Sequence, residues 1–163
     1  MRHYLVVANQ TLRQAELQEK IRACVNAGPC DFFLLVPATR THGPVQWTPS
    51  DANALAHRRL AGALERFRAV GADVVGEVGD PSPVVAIGAV VRRRCFDALL
   101  LSTLPPGPSQ WLRRDVPARI ERLFKIPVEL VTPPLDLTFV EADDAAASDL
   151  GVSNDLPQEM AIP

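Results

Sequence analysis

Cysteine is scarce in this chain and unpaired by spacing. Cys24, Cys30 and Cys95 are odd in number and none stands at C-x-x-C separation, which argues against a secreted disulfide framework and against a zinc knuckle. His3, His42 and His57 show neither H-x3-H nor H-E-x-x-H spacing, so metal chemistry has no support in the sequence. A G-x-S-x-G elbow is missing, and no cysteine–histidine spacing argues for a nucleophile and its base. Long apolar runs are missing as well. "YLVVA" is too short for a signal-peptide core and nothing approaches a membrane span, so a reducing cytoplasm is the expected location and a membrane is not an expected partner. The single run of three arginines, Arg92–Arg94, sits in a chain with a pI near 5.9, which disfavours nucleic acid as a partner.

What is present is proline, 15 residues of it, and an uneven charge distribution. Residues 133–163 hold seven of the 19 acidic side chains and none of the 17 basic ones, which leaves 17 against 12, a net +5, on residues 1–132. The chain therefore divides into an α/β domain, 1–132, and an acidic tail, 133–163. The tail has too few bulky apolar residues to offset its ordering entropy and is expected to be flexible. Within it "LDLTFV", 135–140, alternates as a short edge strand would, or docks a hydrophobic pair on the body.

Five β-branched or leucine-rich runs recur in residues 1–132, each of the first four followed by helical periodicity, the pattern of a doubly wound, flavodoxin- or Rossmann-like α/β/α sandwich with a five-stranded, mainly parallel sheet. The predicted strands are 3–8, 32–37, 72–78, 96–102 and 126–132. The first helix buries Leu17, Ile21 and Cys24, and the second Leu60, Leu64 and Phe67, with Ser50 as its expected N-cap and Asp51 in its first turn. A third, opened by prolines, faces Val84, Ile87 and Val91 inward and closes on Arg92–Arg94. The fourth begins at an Asp115 N-cap and buries Ile120, Leu123 and Phe124. A loop of a dozen residues, "ATRTHGPVQWTP", is long enough to be functional or mobile.

Right-handed crossovers bring the C-terminal strand ends to one rim, where a ligand site belongs. The candidates there are Asn9, Pro37, Gly79, Asp80, Ser102 and Thr103, with Gly107, Ser109, Arg113 and Arg114 from the proline-rich loop after the fourth strand. Each also has a structural reading: Asn9 as a turn residue, Ser102 and Thr103 as turn caps, Gly79-Asp80 as the entry to the third helix, and the two arginines as a solvated face. Trp111 is either a stacking surface for a base or an apolar plug.

"GDPSPVVAI" and "DALLLSTLPPGPSQWLRRDVPARIERLFKIPVELV" resemble segments of the universal stress protein family, and the likeness covers residues 3–132. Closer still is a small group of bacterial proteins sharing "YLVVAN-T", "LLVPA" and "LSTLPPG-S-WLR-D", which implies the same fold and adds no function. The resemblance implies a homodimer through the fifth strand, Pro127–Val131, and an ATP or other adenine-nucleotide ligand in members carrying G-x2-G-x9-G-S/T after the fourth strand. Here those positions fall on Ser102, Pro105 and, after a one-residue deletion, Arg114-Asp115, and the family's aspartate at the first strand end matches Asn9. Pro105, Pro106 and Pro108 remove three amide donors, leaving mainly the N–H groups of Gly107, Ser109 and Gln110, together with hydroxyls and two arginines suited to phosphate. Three expectations follow: a sensor of a nucleotide or small phosphate ligand, a ligand-free interaction module, and, least supported, an enzyme of phosphate or adenylate chemistry.

Overall fold

A computed structural model of the chain describes residues 1–39 and 48–134. Most of the long loop and nearly all of the tail, including 135–140, lie outside the described residues. The elements are β1 (Arg2–Val7), α1 (Ala15–Ala27), β2 (Cys30–Pro37), α2 (Pro49–Ala69), β3 (Asp73–Gly79), α3 (Pro83–Val91), β4 (Ala98–Ser102), α4 (Gln110–Arg113), α5 (Val116–Phe124) and β5 (Val128–Val131). The strands form one sheet in the order β3-β2-β1-β4-β5, with every pairing parallel. This is the α/β/α sandwich that the strand–helix alternation predicts.

Parallel strands covered on both faces need apolar residues at consecutive positions. Leu5, Val6 and Val7 in the central β1 are fully buried, as are Leu34, Leu35 and Val36 in β2 and Leu99, Leu100 and Leu101 in β4. One face packs Tyr4, Val6, Phe32, Leu34 and Leu100 under α1 and α2, through Leu17, Ile21, Leu60 and Phe67. The other packs Leu5, Val7, Leu35, Leu99 and Leu101 under α3, α4 and α5, through Ile87, Val90, Trp111 and Ile120. At about 1.5–3 kcal/mol for each fully buried large side chain, these two layers dominate the stability of the fold. No helix among the described residues is long and apolar enough to cross a membrane.

Three local expectations change. The N-cap of α2 is Thr48, not Ser50: with Pro49 preset for the first helical position, the Thr48 hydroxyl accepts from the Asp51 amide at 3.2 Å, and the Asp51 carboxylate accepts from the Thr48 amide at 2.9 Å. Hydrogen bonds from the Thr48 side chain and backbone lower the Asp51 pKa, so this box supports the helix above the ordinary aspartate range and fades as pH falls through the lowered value. Asp115 opens α5 in the left-handed conformation, φ 52°, with no side-chain cap. Leu123 is 55% exposed, because α5 buries the i+4 stripe of Val116 and Ile120 and tucks Phe124 beside Gly88, which turns Leu123 outward.

Candidate functional site

The strand order reverses between β1 and β4, and their C-terminal ends open the crevice where doubly wound sheets bind ligands. On the β1 side the chain turns out of the strand, Leu12 N–H donating to the Asn9 carbonyl at 3.3 Å, and holds the Asn9 side chain 6% exposed. Its amide nitrogen donates to the Pro37 carbonyl at 2.9 Å and to that of Thr39 at 3.5 Å, while its oxygen accepts from the Arg59 guanidinium at 2.7 Å. One side chain thus ties together the ends of β1 and β2 and the middle of α2.

Arg59 was not among the sequence candidates, although a signal for it exists. It stands four residues from both Leu55 and Ala63 on the buried stripe of α2, a place where an arginine must have a polar destination. Arg66, seven residues further on the same face, donates to the Leu12 carbonyl at 3.2 Å. Both guanidinium groups reach from α2 to the turn after β1.

On the β4 side, Ser102, Thr103 and Ser109 are all at least 95% buried. Ser102 Oγ donates to Thr11 Oγ1 at 2.7 Å, and Thr103 Oγ1 pairs with Ser109 Oγ at 2.6 Å. Ser109 Oγ also accepts from the Leu112 amide at 3.1 Å and so caps the single turn of α4. The Ser109 amide, expected to be available to a ligand, donates instead to the Pro105 carbonyl at 3.2 Å. Pro105 is buried, Pro106, Gly107 and Pro108 are exposed, and Gly107 supplies the positive φ, 103°, on which the loop turns. Arg113 and Arg114 follow, both exposed. Trp111, 8% exposed, packs into the core beneath the loop, which is the plug and not the stacking surface.

Gly79 and Asp80 lie at the β3 end of the same rim. A Cβ on Gly79 would stand 2.8 Å from Ala86 Cβ and from Leu35 Cδ1, so the glycine lets α3 approach the sheet. Asp80 Oδ1 accepts from the Ser82 amide at 2.8 Å and supports the start of α3, whose N-cap residue makes no side-chain bond of its own. Thr39 Oγ1 donates to the Pro81 carbonyl at 3.0 Å, joining this corner to the Asn9 group. The structure therefore gathers sequence candidates into two clusters, Asn9–Pro37–Thr39 with Gly79 and Asp80, and Ser102–Thr103–Ser109, bridged by Thr11, while Arg113 and Arg114 stand exposed at the end of α4. Among the described residues no group of three or more His, Cys, Asp or Glu could hold a metal ion.

No protein-family model matches the chain, and no curated protein does. Solved structures do. A universal stress protein in complex with cAMP superposes with TM-score 0.52 at 19% identity, covering 78% of this chain and 96% of its own. A universal stress protein family protein from Arabidopsis thaliana with AMP bound gives 0.59 at 16% identity, over 88% of this chain and 100% of its own. The universal stress protein from Archaeoglobus fulgidus gives 0.56 at 14%, over 80% and 93%.

Proposed function

The universal stress protein fold is the premise from which we propose a function: a protein without turnover that senses a nucleotide or another phosphate-bearing small molecule, held weakly in the crevice between β1 and β4. Two of the similar structures hold cAMP and AMP, so this fold accommodates a nucleoside monophosphate. The observation that carries the reading is the connection after β4. A loop that cradles a polyphosphate presents successive amides, and close approach requires glycine. Here three positions are prolines, the Ser109 amide and the Ser102, Thr103 and Ser109 hydroxyls bond within the protein, and Arg113 and Arg114, at the end of the short α4 that follows the loop, are exposed cations. Guanidinium groups on the surface hold a single phosphate without enclosing a chain of three. Neither an acid–base pair nor a nucleophile with its base meets in the crevice among the described residues, which is why we assign no reaction.

Thermal unfolding tests this. A ligand with Kd near 1 mM stabilises by about 1 kcal/mol at 5 mM, a rise in Tm of about 2–4 °C for a chain of this size. AMP or cAMP at 5 mM should give that rise, and ATP no more than AMP. Stabilisation by micromolar ATP would overturn the reading. A flat response to every nucleotide and to inorganic phosphate would favour the second one, a ligand-free interaction module, which the inward-turned hydroxyls also suit.

We further propose a homodimer through β5. This strand ends the sheet, and Leu130 is 47% exposed there, so pairing with a second copy would cover an open edge. Light scattering at tens of micromolar should give twice the 17.7 kDa chain mass, and Leu130→Asp should return it to one. A monomer in the unsubstituted protein would remove the dimer.

A further inference from the structure

The chain leaves the sheet beside a set of cations that the fold does not use. β5 closes the sheet at Val131, whose carbonyl accepts from the Thr103 amide at 3.1 Å. Thr103 pairs through its hydroxyl with Ser109, the N-cap of α4, and α4 ends one turn later at Arg113, with Arg114 behind it. The exit of the chain and these two guanidinium groups therefore share the C-terminal rim of the sheet. Pro133 is buried and Pro134, the last described residue, is exposed, so the chain departs from that rim at the surface.

From Arg113 to Lys125 the surface is one-sided in charge. Arg113, Arg114, Arg119, Arg122 and Lys125 are all exposed, against only Asp115 and Glu121. Glu121 is occupied, accepting from the Val128 amide at 3.2 Å. None of the five cationic side chains has a hydrogen bond or ion pair among the described residues. By contrast Lys20 pairs with Glu129, Arg68 donates to the Val74 carbonyl, Arg93 pairs with Glu77 and Arg94 lies on the Phe33 ring, so those charges are already met.

Residues 135–163 supply the complement. They hold seven carboxylates and neither lysine nor arginine. Glu141, Asp143 and Asp144 come within ten residues of Pro134, a stretch that spans up to about 35 Å when extended. The nine residues of α5 measure only about 14 Å, so these carboxylates can reach back over α4 and α5. A single exposed ion pair is weak. Tethering offsets that weakness, because a short linker holds the carboxylates at an effective concentration on the order of millimolar and lets several pairs form at once.

We propose that the α4–α5 surface centred on Arg113 and Arg114 is the docking site of the chain's own acidic segment, residues 141–149, which competes there with a phosphate. The docking stands on charge and connectivity, and the competition rests on the phosphate reading of the crevice.

Full-length protein carrying Glu141→Gln, Asp143→Asn, Asp144→Asn and Asp149→Asn tests both parts against the unsubstituted chain. In backbone-amide NMR at low salt, Arg113 and Arg114 should shift between the two proteins. Arg22 and Arg58, exposed cations on the other face of the sheet, should stay unmoved. Sodium chloride at about 0.5 M should move the unsubstituted protein towards the variant, since screening then confines charge attraction to a few ångströms. Reciprocally, Arg113→Gln with Arg114→Gln should shift the amides of 141–149, a response that residues so distant in sequence show only by contact. AMP should bind the neutralised variant about 3-fold more tightly, the gain expected if the segment covers the arginines about two-thirds of the time. Unchanged Arg113 and Arg114 amides in the neutralised variant, or unchanged 141–149 amides in the arginine variant, overturn the docking. Shifts that depend on protein concentration would mean docking between copies and overturn the assignment to the same chain. If AMP binds both proteins equally, the competition is overturned and the docking stands. If AMP binds neither, the phosphate reading falls and the competition with it, while the amide shifts still decide the docking.

Discussion

Gly76→Ala should destabilise the protein by about 3 kcal/mol, the upper part of the usual range for overpacking, and lower Tm by about 6–12 °C. The cause is not propensity, since alanine ordinarily loses less entropy than glycine on folding. A Cβ at position 76 would lie 2.3 Å from the Leu34 backbone carbonyl oxygen and 2.9 Å from Leu60 Cδ1. Leu60 can rotate away; the carbonyl belongs to β2 and cannot move without breaking the β2–β3 register that pairs Leu34 with Gly76. The missing side chain is what lets α2 lay Leu60 directly on the sheet. Gly107→Ala is the matching control, since open space surrounds that position and only its positive φ opposes the substitution, a cost near 1 kcal/mol. Urea denaturation of both variants measures the difference, and an unaltered midpoint for Gly76→Ala would mean that β3 and β2 do not pack as described.

Ser102→Ala should cost about 1–3 kcal/mol, and Thr11→Val in the same chain should recover most of it. Ser102 is 1% exposed, Thr11 likewise, and the two hydroxyls meet at 2.7 Å across the β1–β4 crevice. Removing one leaves the other desolvated and unpaired, while replacing both with apolar groups of similar shape removes the penalty. A double-mutant cycle reads this as a coupling of the order of 1 kcal/mol. The same variants separate a structural hydroxyl from a ligand-binding one. If Ser102 serves the fold, the Tm rise with 5 mM AMP persists in the double variant; if it contacts phosphate, the rise disappears while stability recovers.

These two predictions rest on different grades of sequence legibility. The strand–helix alternation, the buried runs of β1, β2 and β4, and the core positions Leu17, Ile21, Leu60 and Phe67 are readable because periodicity repeats within a few residues. Leu123 misleads because three- and four-residue spacings both fit a helix face, and the packing of Phe124 beside Gly88 decides between them. Thr48 was concealed by Pro49, which belongs inside the helix at its first position and so puts the cap two residues before the expected Ser50. The positions of Asn9, Pro37, Ser102 and Thr103 at strand ends, and of Ser109 in the loop after β4, were readable from the strand pattern. Their hydrogen bonds were not.

By itself the sequence determined a parallel α/β sandwich and the crowding of proline after β4, since each follows from residue types and their local spacing. Tertiary structure alone decided who meets whom: Arg59 with Asn9 across 50 residues, Ser102 with Thr11 across 91, and Asp31 beside Asp73 on neighbouring strands. The physical reason is range. Backbone periodicity and turn chemistry act over a single helical turn, whereas the partner of a buried polar group depends on strand order and register, which no local pattern encodes.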